Sequence, residues 1–323
     1  MTGLPALVVT ADDRHGVTVA ARDLARAAES ATGLRLATAA GTLLGDHPPE
    51  RAHLHFTDRL WAASPEEAAE LVERVAARTA LTVTLHDVPQ ESDGPRNLPR
   101  RTACYVRVAG AARGVVVNSR HEAAHLAEAG IVPRVLGVVP LPVTPAPVPV
   151  SPASPDPGVA VLGFFYPGKG HAEVLDALPA GARLTVLGGP SAGHEADLRA
   201  FVARAEARVE VTGFVPERDL VARCRAVAVP VVAHRHFSAS GSLATWIAAG
   251  RRPLAIDGRY TREMAELRPG TVRLVAPDRL ADALADALAD PASTWLAPDA
   301  VTRPHLADTA EAYLRWWTGD IAW

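Results

Sequence analysis

Short apolar runs rich in Val, Ala and Leu alternate along the chain with stretches whose apolar residues recur at helical spacing. A strand covered on both faces reads as a continuous apolar run, and the helix that follows it reads as an amphipathic one, so the rhythm is that of βα units on parallel sheets. In the first half the pattern predicts strands at 7–11, 52–57, 81–86 and 114–118 and helices at 17–30, 65–78 and 120–129. Ser64-Pro65-Glu66-Glu67 places a capping residue, a first-position proline and first-turn acids where a helix begins. Ser119 and Gly130 bracket the last of these helices. After the midpoint the alternation restarts, with strands at 159–163, 184–188, 209–213, 227–232 and 253–256 and helices at 169–178, 194–205, 219–225 and 241–249. The order predicts an α/β chain of two Rossmann-like, doubly wound domains facing a central cleft.

Between the two series lie Pro140, Pro142, Pro145, Pro147, Pro149, Pro152, Pro155 and Pro157. Prolines at that density supply too few N–H groups for a ladder or a helix, and they stiffen an extended chain. The predicted division is therefore a first domain at 1–143, a linker at 144–157 and a second domain at 158–301. The segment 302–323 is a helix carrying Tyr313, Trp316, Trp317 and Trp323, aromatic surface that is costly to leave in water. Packing back onto the first domain is its simplest destination.

Composition narrows the function. The chain has 323 residues and a formal net charge of −3, and that balance lacks the basic surplus by which proteins neutralise nucleic-acid phosphates. No nucleic-acid partner is expected. Cys104 and Cys224 stand far apart without metal-ligand spacing and read as reduced core residues. No secretory leader and no membrane-spanning apolar run is visible, so a cytoplasmic protein is expected. Among 33 basic residues, Lys169 is the one lysine, in a chain biased toward arginine as a GC-rich gene would produce. Its neighbourhood is therefore the first candidate for chemistry.

Lys169 sits in Gly168-Lys169-Gly170 after the strand at 159–163, where glycines let the backbone approach a phosphate and the lysine adds a mobile charge. It is no Walker loop, since Gly170 stands where that motif needs a hydroxyl. Ser238-Ala239-Ser240-Gly241-Ser242-Leu243 precedes a helix and offers small residues, hydroxyls and free N–H groups to an anion. In parallel sheets ligands bind at the carboxyl ends of the strands, and both loops lie there, so together they predict a diphosphate clamp. In the first domain, strand ends deliver His86-Asp87 and Asp12-Asp13-Arg14-His15-Gly16. His86 could bond a sugar hydroxyl or move a proton. His53 and His55 lack a third ligand and read as structural, and no metal site is predicted. The stretch 89–99, with Asp93-Gly94 and Arg96, reads as a surface loop.

Several of these features occur together in a known family. Gly16, His86-Asp87, Val115-Val116-Val117-Asn118-Ser119, Gly163 with Lys169-Gly170, Leu187-Gly188-Gly189, Val211-Thr212-Gly213-Phe214-Val215 and the Ser-rich loop through Gly250 resemble the retaining nucleotide-sugar glycosyltransferases of GT-B fold, in the large family-four group. The resemblance spans nearly the whole chain. It implies that Lys169, Gly170, Ser240, Gly241, Ser242 and Leu243 hold the donor diphosphate, with Arg235 as a further candidate. Gly213, Phe214 and Val215 would meet the base, His86 the transferred sugar, and Gly16 would let its loop approach the diphosphate. The implied co-substrate is a UDP- or GDP-sugar with no other cofactor, and the implied partner is a soluble acceptor hydroxyl, met by His15, Asp87 and Arg96 with the loop 89–99 and reached by retaining, metal-independent transfer.

Two departures stand out. The family's paired glutamates fall at Phe237 and Thr245, and its arginine before the lysine falls at Phe164. Arg235, Arg251 or Arg14 could substitute for that arginine. A non-catalytic nucleotide-sugar-binding subunit and a nucleotide-sugar 2-epimerase on the same fold stay open as alternatives. A nicotinamide-dependent dehydrogenase is disfavoured, because no strand is followed by GxGxxG with an acid about 20 residues on.

Overall fold

The computed structural model describes residues 3–12, 15–147, 156–205, 207–234 and 238–323. Contacts divide the chain into two compact units, 1–142 with 304–323 and 143–303. In the first unit β1 (Ala6–Val9), α1 (Gly16–Thr32), β2 (Ala37–Ala39), β3 (Arg51–Phe56), α2 (Asp58–Trp61), α3 (Pro65–Ala76) and β4 (Ala80–Leu85) lead into α4 (Gly94–Ala111), β5 (Gly114–Val117), α5 (Arg120–Glu128) and β6 (Leu136–Val138). The strands form one parallel sheet in the order β2-β1-β3-β4-β5-β6. Because every strand runs parallel, the βα turns after β1 and β4 both leave from the carboxyl edge of this sheet, and the sequence order reverses between β1 and β3.

The second unit contains β7 (Asp156–Leu162), α6 (His171–Ala177), β8 (Leu184–Leu187), α7 (Glu195–Arg204), β9 (Val209–Val211), α8 (Glu217–Ala226) and β10 (Val227–Val232). It continues with α9 (Gly241–Ala248), β11 (Leu254–Ile256), α10 (Arg259–Leu267), β12 (Arg273–Val275) and α11 (Leu280–Ala289). Its sheet is again parallel, in the order β12-β11-β10-β7-β8-β9. Each unit has its own apolar interior, centred on Leu54, Val83 and Val115 in the first and on Val161, Val186 and Val229 in the second. Among the described residues no helix is long and apolar enough to cross a membrane. Cys104 and Cys224 are buried and unpaired.

The last helix, α12 (Leu306–Gly319), packs beside α1 and buries Tyr313, Trp316 and Trp317 against the first unit's sheet. Two strand glycines mark where it lies. A Cβ on Gly114 would meet Ile321 Cδ1 at 2.4 Å and Trp316 at 2.9 Å, and one on Gly137 would meet Trp316 at 2.8 Å. A glycine inside a strand here makes room for an indole rather than a bulge.

Three sequence expectations change. The stretch 89–99 is not a loop: a 3-10 turn (Glu91–Asp93) runs into α4, with Pro95 in the first turn and Pro99 in the second. Pro95 sits in the first turn, where N–H groups have no intrahelical partner, whereas Pro99 lies inside the helix and removes one donor there without ending it. Arg96 is thus an exposed helical residue rather than a loop residue. The linker expected at 144–157 ends earlier, because β7 already pairs at Asp156 with Val227, and Pro157 near a strand start costs little. Lys169 is not helical, since it closes a 3-10 turn and α6 starts only at His171.

Candidate functional site

The carboxyl edge of the second unit's sheet draws three segments together. After β7 the chain turns at Gly163 and reaches Lys169 and Gly170, whose backbone is left-handed at φ +89°. A Cβ on Gly170 would stand 2.0 Å from the Ala233 carbonyl oxygen, so the turn lies directly on the strand exit of β10 and glycine is required there. After β10, Ser240 caps α9 by accepting from the Leu243 N–H at 3.2 Å. The Ser240 N–H itself donates to the hydroxyl of Tyr260 on α10 at 2.8 Å. Residues 235–237, including the candidate Arg235, lie outside the described residues, as does Arg14.

Lys169 is 8% exposed. Its ammonium donates to Ser242 Oγ at 3.3 Å and passes 6.0 Å from the centre of the Tyr166 ring, and no ion pair to it is found among the described residues. Burial without a counter-charge pushes the group down from 10.5 to about 7. Ser242 Oγ is shared, lying 3.1 Å from Ser240 Oγ and 3.4 Å from His234 Nε2. The sequence-predicted members Lys169, Ser240 and Ser242 thus meet, and Gly170, Gly241 and Leu243 shape the turns that carry them. His234, 6% exposed at the end of β10, belongs to the same cluster and was not singled out by the sequence.

Beside this cluster, Gly188 and Gly189 follow β8. Gly188 has φ +155°, and a Cβ there would fall 2.3 Å from the Gly163 carbonyl oxygen. Gly213 (φ +69°), Phe214 and Val215 follow β9, and Phe214 is 60% exposed. Phe164, after β7, is 48% exposed. The strand order β7-β8-β9 sets the two exposed rings on either side of the glycine pair.

Two further positions differ from what the motifs suggested. Arg251 is fully buried: its guanidinium stacks on Trp295 at 4.3 Å and donates to the carbonyls of Cys224, Arg225, Val227, Ala228 and Thr294. It ties strand and loop carbonyls together and has no donor left for a phosphate. Thr245 turns its hydroxyl back to the Gly241 carbonyl at 2.9 Å, a local bond within α9.

In the first unit, His15 caps α1 by accepting the Val17 N–H on Nδ1 at 3.2 Å, and burial lowers its pKa against the pull of Asp12 and Asp87. Gly16 follows it, and among the described residues no atom lies within 4 Å of where a Cβ would be. His86 is buried, with Nε2 3.0 Å from His55 Nδ1 and Nδ1 3.4 Å from Asn118 Nδ2. Desolvation by burial holds it well below 6.5. His53, expected to be structural, is held by Thr82 and Thr84 at 2.9 Å and by the Trp317 indole at 3.4 Å. His55 is more than structural packing, because it occupies one nitrogen of the candidate His86. Asp87, at φ +54°, accepts from Arg101 at 2.9 Å, and the same guanidinium reaches Asp58 and Asp93. Among the described residues, Arg96 makes no hydrogen bond or ion pair with this group.

The fold is that of the GT-B glycosyltransferases. It is similar to HepE of Anabaena, solved with UDP and glucose, with a TM-score of 0.70 and 16% identity over 95% of this chain and 93% of that one. It is similar to sucrose-phosphate synthase of Thermosynechococcus elongatus (0.59, 18%, 85% of this chain and 70% of that one). It is also similar to AviGT4, a glycosyltransferase of avilamycin A biosynthesis (0.53, 16%, 96% and 92%). No family model and no curated protein matches the sequence.

Proposed function

We propose that the chain transfers a sugar from a nucleoside-diphosphate donor to the hydroxyl of a soluble acceptor, with retention of anomeric configuration and without a metal. The carrying observation is the buried Lys169 ammonium, which has a neutral hydroxyl for a partner at the carboxyl edge of a Rossmann-like sheet. Burying a charge without compensation is costly, so such a group is poised for an anion brought from outside. The N-terminal turn of α9 faces the same point with Gly241 and Ser242. A donor diphosphate fits this chemistry, and a UDP-sugar is favoured because HepE, of similar fold, has been solved with UDP-glucose.

Charge accumulates on the leaving diphosphate as the glycosidic bond breaks. Donors fixed before the reaction stabilise that charge more in the transition state than in the ground state. Lys169, Ser242 and the first N–H groups of α9 take that role. Phe214 and the Gly188–Gly189 step receive the base. The first unit receives the acceptor near His15 and Asp87, and His86, whose nitrogens are engaged by His55 and Asn118, holds the end of β4 beneath them. Retention rests on the family resemblance, and metal independence on Lys169 and the lack of a DxD motif.

The test is a thermal-shift screen of UDP, GDP, dTDP, ADP and their common sugars, followed by transfer assays with and without EDTA and by NMR of the product anomer. A ligand at 100 times its Kd raises stability by about 2.7 kcal/mol. Stabilisation by one nucleotide family and an EDTA-resistant product of retained configuration support the reading. No shift with any nucleotide overturns it. Thr245, where the resemblance expects a glutamate, favours a second reading, a nucleotide-sugar-binding subunit without turnover. Donor binding with no transfer or hydrolysis across an acceptor panel would select it.

A further inference from the structure

We propose that His234 is a direct ligand of the donor diphosphate, completing with Lys169 and Ser242 a three-donor cradle that replaces the arginine absent at Phe164. The inference rests on the glycosyltransferase reading and names a residue that the resemblance does not supply.

The argument starts from one oxygen. Ser242 Oγ has two lone pairs and one proton to offer. Lys169 Nζ donates into one lone pair at 3.3 Å. Ser240 Oγ, which already accepts from the Leu243 N–H, stands 3.1 Å away, and His234 Nε2 stands 3.4 Å away. With its proton on Nε2, His234 donates into the second lone pair, while the Ser242 proton goes to Ser240. Two nitrogen donors from different strand exits then converge on a single neutral hydroxyl. All three contacts lie just beyond the usual ranges, about 2.7–3.2 Å for N–H···O and about 2.5–3.0 Å for O–H···O bonds. An anionic oxygen at that point would draw all of them shorter, because charge-assisted bonds are both shorter and stronger.

The backbone holds His234 where this requires it. Ala233, its neighbour, packs against Gly170 so closely that no Cβ fits between them, which locks the Lys169 turn and the β10 exit into one piece. Tyr260 fixes the third segment through the Ser240 N–H. The three donors thus approach on preorganised backbone rather than on mobile loops. Position 164, where the resemblance expects a cation, is an exposed phenylalanine, and Arg251 is consumed by carbonyls. His234 is the remaining nitrogen donor that the described residues bring to Ser242.

The experiment is calorimetric titration of the full chain with UDP, inorganic pyrophosphate and uridine, for the wild type, His234→Ala, His234→Gln and Lys169→Met. A hydrogen bond to a charged group contributes about 1.5–3 kcal/mol, so H234A should weaken UDP and pyrophosphate about 10-fold to 100-fold. Uridine affinity should not move. H234Q, whose amide keeps an N–H, should stay within about threefold of wild type for UDP. Unchanged UDP affinity in H234A, alongside loss in K169M, overturns the proposal and leaves the glycosyltransferase reading standing. If the wild type itself binds neither UDP nor pyrophosphate, that reading has failed first. A merely structural His234 would depress uridine and UDP equally and lower Tm without ligand. Should H234A not fold, H234Q decides: UDP affinity as poor as that of K169M counts against the hydrogen bond.

Discussion

Two buried cations, Arg101 in the first unit and Lys169 in the second, are satisfied in opposite ways. Arg101 in the first unit is as deeply buried as Lys169 in the second, yet it meets Asp58, Asp87 and Asp93 within 3.2 Å, whereas Lys169 meets one serine hydroxyl. The electrostatic consequences diverge. Burial acts to lower the Arg101 pKa, but Tyr105 together with the carboxylates of Asp87, Asp58 and Asp93 outweighs it and raises the value, while burial alone drives Lys169 down to about 7. A cation paired inside the fold serves the fold, and one left short of a counter-charge costs stability until a ligand supplies it. The first unit extends the same self-sufficiency to neutral groups. His53, Thr82, Thr84, Tyr313 and Trp317 form a bonded layer between the sheet and α12.

Acid tests the neutral half of this contrast most severely. Burial lowers the pKa of His53 from 6.5 to about 3, and it holds His55 and His86 well below 6.5. Below pH 6.5 the unfolded chain therefore binds more protons than the folded one. Stability is full above 6.5 and falls as pH drops toward the folded values, by about 1.4 kcal/mol per pH unit for each histidine kept neutral. Hydrogen exchange between pH 7 and 4.5 should show α12, β3 and β4 opening first. His53→Gln should flatten the slope. Exchange that rises first in the second unit would contradict the assignment.

The paired cation comes next. Arg101→Met leaves three carboxylates without their partner and should destabilise the protein by about 3–5 kcal/mol, read by chemical denaturation. Lys169→Met should do the reverse: Tm without ligand holds or rises, while turnover falls at least about a hundredfold and the UDP-induced shift disappears. If both substitutions destabilised alike, Lys169 would be one more structural cation and the contrast would collapse.

A subtler consequence follows from a lysine near neutrality. Above pH 7 the free protein has lost the Lys169 proton, and binding an anion must restore it, so UDP affinity should fall as pH rises, by up to about tenfold per unit. The terminal phosphate is already mostly ionised at pH 7, its last pKa being about 6, so it adds little to this slope above pH 7. Lys169→Arg, always charged, should make the affinity flat from pH 7 to 9.

Much of this contrast was visible before folding, and the reasons are specific. The parallel βα architecture follows from apolar runs, and Lys169 announces itself as the one lysine among 33 basic residues. The Ser240–Ser242 turn reads as a helix start because Ser and Gly cap helices by short-range bonds. What stayed hidden depends on pairs distant in sequence. Arg251 has the charge of a phosphate ligand, and only the carbonyl ring supplied by β10 and Thr294 shows that it is spent. His234 carries no motif, and its meaning lies in a hydroxyl eight residues on and a lysine 65 residues back. The α4 helix was masked by its prolines, and Arg101, the first unit's central cation, went unnoticed inside it.

Gly16 gives the smallest and sharpest of the tests, because it separates fold from site within one residue. It opens α1 directly after the His15 cap, its φ is unexceptional, and no atom of the described residues lies within 4 Å of a Cβ built on it. On structural grounds alone Gly16→Ala is permitted, and by reducing the freedom of the unfolded chain it should stabilise by about 0.4–1 kcal/mol. The family resemblance gives this glycine another purpose, to let the loop backbone approach the donor diphosphate. A methyl group placed there would then stand where the ligand belongs. The expected outcome is a small rise in Tm without ligand together with a drop in donor affinity, measured on the same preparation. A variant that is more stable and binds UDP as tightly as wild type would count against the role that the resemblance gives Gly16.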